Sequence, residues 1–383
     1  EDQFRELRGR RVGLITNHTG LSRYGRRNVD LMIEAGVEIK ALFSPEHGFM
    51  GREERDHVSH ATDPATGLPV WSLYQGDNRR PSAEMLRDLD VLVFDIQDVG
   101  VRFYTYSCTM AYAMEVAAKR RIPFWVLDRP NPITGVRVEG PILEPELESF
   151  VGCFALPVRH GMTLGELARM INAERGWNAS LRVIAMKGWE RGDWFDSTGL
   201  WWTDPSPNMR NLDAALLYPG VALLESSREY SVGRGTDTPF QLIGAPWING
   251  RELAEFLNRR YIPGIRVYPL RFTPDASRLS QVAVEGVRFV ITDREAVHAV
   301  RLGYEVASAL VKLYPGKLPV SDNQRLIGNK EVLRALEAGE DPRALISRDE
   351  AGIEEFLQRR ARYLIYPAAG RGQSSPSIRK TRD

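Results

Sequence analysis

Short apolar runs alternate with amphipathic segments through the first half of the chain. Arg11–Thr16 (RVGLIT), Val37–Phe43, Val91–Asp95 (VLVFD), Pro123–Asp128 (PFWVLD) and Leu181–Met186 read as strands. Between them, Arg27–Ala35, Ala83–Leu89, Tyr104–Lys119 and Thr163–Ala173 read as helices, the first stopped by Gly36. Continuous apolar strands separated by helices predict an α/β fold with a parallel sheet covered on both faces. The character changes at Trp189. Trp189–Met209 lacks periodicity and reads as a long loop of the kind that is usually functional. A second α/β region follows: helix Gly250–Arg259, strands Ile265–Phe272 and Val284–Thr292, and helix Arg294–Tyr314. Helical segments near Lys330–Ala338 and Glu350–Tyr363 close it, and the polar stretch 369–383 reads as a disordered tail.

The length of 383 residues fits roughly two domains. No apolar run approaches the length of a membrane-spanning helix. Basic and acidic residues nearly balance, 51 against 50, which argues against a dedicated nucleic-acid binder. Neither cysteine lies in a C-x-x-C motif, and Cys108 reads as a buried core residue rather than half of a disulfide with Cys153. The chain opens on Glu1, so the absence of a leader here decides nothing about compartment.

Polar residues gather where the first four strands end. Asn17, His18 and Thr19 follow the first; Ser44, Pro45, Glu46 and His47 the second; Asp95, Gln97 and Asp98 the third; Asp128, Arg129 and Asn131 the fourth. Ligands of open parallel sheets bind beyond the carboxyl ends of the strands, so four such clusters on one edge predict a site. Glu46, Asp95, Asp98 and Asp128 would crowd carboxylates there, and crowding raises carboxyl pKa values enough to make a general acid. Helix capping and turn formation explain single Asp or Asn residues equally well. Glu46 is harder to explain that way, since Glu forms turns poorly.

Other features divide between structure and chemistry. Thr163 with Glu166, and Thr292 with Glu295, fit capping boxes. His298 reads as packed on a long helix, whereas His160, just before a helix start, reads equally as a cleft residue. His47, His57 and His60 near Glu53, Glu54 and Asp56 make a metal site conceivable, without any H-E-x-x-H signature. Gly-Arg-Gly-Thr within Val232–Phe240 lacks the full phosphate-loop pattern, and no G-x-G-x-x-G follows the first strand; Arg234 is the better clue, as a bidentate partner for a substrate carboxylate. Trp201 and Trp202 read either as a sugar-binding face or as a plug between domains.

The sequence resembles the NamZ-type exo-β-N-acetylmuramidases, glycoside hydrolase family 171. The matching stretches are GLITNHTG at Gly13–Gly20, SPEHG at Ser44–Gly48, FDIQDVGVRFYTY at Phe94–Tyr106, DRPNP at Asp128–Pro132, VGRGTDTPF at Val232–Phe240 and YLIY at Tyr363–Tyr366. The segment Leu224–Tyr230 departs from the family's E-G-T-N pattern. The resemblance implies a Rossmann-like domain without dinucleotide over 1–190, and a smaller α/β domain over 191–368 completing the cleft. It implies release of N-acetylmuramic acid from the non-reducing end of peptidoglycan fragments, without cofactor or metal; a secreted or periplasmic location is expected, with a cytoplasmic one as the alternative. Glu46 would be the general acid, and Asp95 or Asp98 would orient the 2-acetamido group as internal nucleophile, attack directly or activate water. Substrate would be held by Asn17, His47, Gln97, Arg102, Tyr104, Asp128, Arg129, Asn131, His160, Asn208 and Arg234, with Arg234 and Arg102 on the lactyl carboxylate. A metal-dependent hydrolase using His47, His57 and His60, and a non-catalytic cell-wall sugar-binding protein, are the alternatives.

Overall fold

The computed structural model describes residues 4–368, so the expected disordered tail falls outside the described residues. The larger sheet has seven strands: β1 (Arg11–Thr16), β2 (Glu38–Ser44), β3 (Ala61–Thr62), β4 (Pro69–Ser72), β5 (Val91–Asp95), β6 (Phe124–Leu127) and β7 (Leu181–Ile184). Their order is β3-β4-β2-β1-β5-β6-β7, and only β3 runs antiparallel to its neighbour. From β1 the chain steps outward to β2 and β4, then returns to β5 on the other side of β1. Such a reversal opens a crevice at the carboxyl ends of the strands. Every residue of β5 is buried, so both faces are covered and its sequence shows no alternation. Helices α1 (Asn28–Glu34), α2 (Tyr106–Lys119) and α3 (Leu164–Glu174) cover the sheet.

The second unit begins with α4 (Leu212–Val221). Strands β8 (Leu242–Ala245), β9 (Ile265–Phe272) and β10 (Val284–Ile291) form an antiparallel sheet in the order β8-β10-β9. Its helices are α5 (Gly250–Arg259), α6 (Ala299–Leu313), α7 (Gln324–Ile327), α8 (Lys330–Glu337) and α9 (Pro342–Arg360). Helices α4 and α6 approach backbone to backbone. A Cβ on Gly220 would lie 1.9 Å from the Ala299 carbonyl oxygen, so only glycine fits there. One apolar core runs through both units, joining Phe94 and Met110 of the first to Leu217, Val287 and Tyr304 of the second.

Several expectations need correction. Ala83–Leu89 is a string of turns, not a helix: Asp88 takes φ 63°, and Leu89 N–H bonds back only to Leu86. Helix α6 starts at Ala299, because the Asp293 carboxylate accepts the Glu295 N–H (3.0 Å) in a separate turn, and the Thr292–Glu295 box does not form. The Thr163–Glu166 box does form, at the start of α3. Helix α4 was hidden because it is buried on all sides from Ala214 to Val221 and contains Pro219, leaving no apolar stripe to read. Cys108 and Cys153 form a disulfide, contrary to expectation, because the 149–153 turn folds back over α2 and brings the two Cα atoms to 5.7 Å.

Candidate active site

Strand β2 runs straight into Pro45 and Glu46. His47 (φ 68°) and Gly48 (φ 74°) then both adopt the left-handed conformation, and Gly48 N–H closes the turn on the Pro45 carbonyl (3.1 Å). A non-glycine residue held there stores local strain of the kind found at functional sites. The turn sends Glu46 into a cleft of about 610 Å³ between the large sheet's carboxyl edge and the second unit. Thr105 Oγ1, just ahead of α2, donates to Glu46 Oε2 at 2.5 Å.

Tyrosines wall the cleft around this carboxylate. Tyr74, Tyr104 and Tyr218 line it, and Tyr218 packs edge-on against Phe240 (4.6 Å) and Tyr104 (5.9 Å). Burial holds all three phenols above their ordinary range, with Glu46 adding to the effect at Tyr74 and Glu225 at Tyr218. They therefore remain neutral O–H donors with apolar ring faces, a surface suited to a sugar. The Tyr104 hydroxyl is buried and has no hydrogen-bond partner among the described residues. On the facing wall, Arg234 Nε is bonded to Glu225, and its Nη1 lies 3.9 Å from Glu54. Asn208 binds the other side of this cluster by donating to Glu54. His47 lines the cleft and donates through Nδ1 to the Glu53 carbonyl (2.7 Å).

The remaining expected residues do not converge on Glu46. Asp95 accepts from Asn28 (2.7 Å) and from Arg129 Nε (2.6 Å), and with Asp128 and Arg129 it lines a separate pocket of about 480 Å³ beyond β1 and β6. Asp128 accepts from Thr163 (2.6 Å), Gly165 N–H (2.8 Å) and Tyr366 (2.6 Å), so it serves the start of α3; burial pushes it up to about 6. Asp98 lies beside Tyr104 but does not line the cleft. Its Oδ2 accepts Gly100 N–H (2.7 Å), its Oδ1 has no hydrogen-bond partner among the described residues, and burial raises it to about 7. Arg102 is fully buried, and its guanidinium donates to the carbonyls of Pro141, Leu156, Leu326 and Ile327, which corrects its expected role in binding substrate. Asn131 donates to the Met162 carbonyl (3.0 Å), and Gln97 to those of Asp98 and Pro130. Asn17 donates to the Tyr106 hydroxyl (3.2 Å), one layer behind the cleft. His160 is buried and pushed down to about 3, hence neutral, and does not line the cleft.

Of the histidines considered for a metal, His47 and His60 have ring nitrogens bonded to neighbouring groups. His60 Nδ1 accepts the Ser72 N–H (3.0 Å) and stacks edge-on with Trp71, while the backbone of His57 bridges to Gln75. Among the described residues no three His, Cys, Asp or Glu side chains are grouped to hold a metal ion. Trp202 packs on Phe195 and is structural, whereas Trp201 is 77% exposed, outside the cleft.

Reasoning from sequence missed Tyr74, Thr105, Tyr218, Glu225 and Arg278, all of which line the cleft. Glu225 and Arg278 belong to the second unit, and only folding brings them opposite β2. For Glu225 the available signals were its place directly after a long apolar run and the start of the segment compared with the family's E-G-T-N pattern.

Residues 12–213 match the family profile "Exo-beta-N-acetylmuramidase NamZ, N-terminal", and residues 216–366 match its C-terminal counterpart. The chain is 44% identical over 370 residues to the peptidoglycan beta-N-acetylmuramidase NamZ of Bacillus subtilis (strain 168), covering 95% of this chain and 89% of that protein. Two crystal structures of DUF1343 family proteins from Bacteroides fragilis superpose with TM-scores of 0.88 (36% identity) and 0.79 (31% identity), each covering 95% of this chain and 96% of the other.

Proposed function

This chain belongs to the NamZ exo-β-N-acetylmuramidase family, and on that footing we propose that it is a glycosidase releasing N-acetylmuramic acid from the non-reducing end of peptidoglycan fragments, with Glu46 as general acid. The observation that carries this reading is the delivery of Glu46, on a strained turn, into a tyrosine-walled cleft closed by the second unit. Protonated Glu46 gives its proton to the glycosidic oxygen as the bond to the anomeric carbon breaks, and an oxocarbenium-like centre develops.

Such a reaction uses a second carboxylate. Glu225 fits that role better than Asp95, which is fastened to Arg129 and Asn28 outside the cleft, or Asp98, which lies off the cleft lining. The Arg234 guanidinium bonded to Glu225 fixes this carboxyl group on the cleft wall, placed to stabilise the positive centre or to engage the attacking group. The Cys108–Cys153 disulfide supports action in an oxidising compartment, outside the cytoplasm.

The direct test is release of muramic acid from a muramic acid–glucosamine disaccharide by Glu46→Gln. Loss of about 10²–10⁴ in kcat with an unchanged fold is expected. Near-normal turnover would remove Glu46 from this role.

A further inference from the structure

The cleft carries an excess of negative charge. Glu46, Glu53, Glu54, Asp56 and Glu225 line it, against the guanidinium groups of Arg55, Arg234 and Arg278. An anionic sugar entering such a site is repelled except where a cation is not already neutralised. Arg234 is bonded to Glu225 and lies near Glu54, and Arg55 sits 3.8 Å from Glu53. Arg278 differs. Its Nη1 donates to two neutral acceptors, the carbonyls of Ser226 and Ser227 (both 2.6 Å), and no carboxylate lies within 4.0 Å of it among the described residues. Its charge is therefore uncompensated while its position is fixed.

The segment around it is built for placement. Ser277, Leu279 and Gln281 all have positive φ, of 64°, 59° and 62°. None is glycine, so the backbone holds strain beside the cleft. Asp275 N–H donates to the Gly235 carbonyl (2.8 Å), and a Cβ on Gly235 would lie 2.4 Å from the Ala276 carbonyl oxygen. The second glycine of Gly-Arg-Gly is thus needed so that this segment can seat on the turn carrying Arg234.

We infer that Arg278 is the specificity-determining residue that reads the lactyl carboxylate of the substrate, taking the role first expected of Arg234. This rests on the muramidase reading above. An ion pair with Arg278 would orient the anionic sugar with its lactyl group toward the second unit, leaving the glycosidic oxygen on the Glu46 side.

The test compares an aryl N-acetyl-β-muramide with the same glycoside whose lactyl carboxylate is converted to a primary amide. Wild-type protein should favour the acid by about 10- to 100-fold in kcat/KM, the range of a charge-assisted pair. Arg278→Gln should abolish that preference, chiefly through KM, and Arg278→Lys should restore part of it. Arg278 is exposed, so both variants should melt like the wild type. A preference retained in Arg278→Gln, equal losses on both glycosides, or a wild type indifferent to amidation would each overturn the inference alone. Failure of the wild type to release muramic acid from either glycoside or from the disaccharide would overturn the muramidase reading, and this inference with it.

Discussion

Asp95 and Glu225 show how little a carboxylate's position in sequence says about its role. Asp95 ends a central strand, where a ligand group is expected, yet its two oxygens are held by Asn28 and Arg129. Glu225 follows a helical run, in a segment that only partly keeps the family's E-G-T-N pattern, and faces the cleft. Glu225→Gln should lower kcat on the disaccharide at least 100-fold with a near-normal melting temperature. Asp95→Asn should do the reverse: removing one partner of a buried pair costs about 3–5 kcal/mol, read as a lowered melting temperature, while kcat is retained. Asp98 supplies a pH signature. Its carboxyl is raised to about 7 by burial, so between the ordinary aspartate range, about 4, and pH 7 the native state holds a proton that the unfolded state has lost. Stability therefore falls as pH rises through that window, at up to about 1.4 kcal/mol per unit, and the loss is complete above 7. Asp98→Asn does not titrate, so its stability advantage over wild type should grow from pH 4 to 7 and then level off in thermal melts. At this scale the sequence disclosed Glu46, whose residue type is unsuited to a turn, but not which of the neighbouring polar groups serve substrate and which serve caps. Asp128 and Asn131 are chemically indistinguishable from ligand groups until their backbone partners are seen.

Among secondary-structure elements, legibility followed periodicity. Strands β1, β2, β5 and β6 and helices α2, α3 and α5 were readable from apolar runs or stripes. What was lost was uniform or very short: α4, apolar on every side, and β3, β4 and β8, with two to four residues each. These are the elements that form the floor of the second unit and the outer sheet edge, so the cleft's far wall was unreadable even though its near wall was plain. The disulfide was equally invisible, because only the fold brings α2 and the 149–153 turn together. It spans 45 residues, and cross-linking a loop of that length restricts the unfolded chain by about 4 kcal/mol in the chain-entropy treatment. Cys108→Ser/Cys153→Ser should show a loss of that order in denaturant unfolding, with kcat retained, since neither cysteine lines the cleft.

Across the whole molecule, the two units are stitched together by segments distant in sequence. Arg102 of the first unit holds the carbonyls of Leu326 and Ile327, and Arg360 at the end of α9 holds those of Gly135, His160 and Gly161. Tyr366 donates to Asp128 (2.6 Å), and Ile365 N–H donates to Glu166 Oε1 (2.8 Å). Tyr366→Phe should therefore destabilise the protein by about 1.5–3 kcal/mol, the contribution of a hydrogen bond to a carboxylate.

That last contact also sets a timetable. Ribosomes deliver residues in order, and Asp128 must wait 238 positions for the hydroxyl that completes its surroundings. Until then, the nascent first half carries a buried acid short of a donor and an unfinished rim, a condition that invites chaperone attention during synthesis.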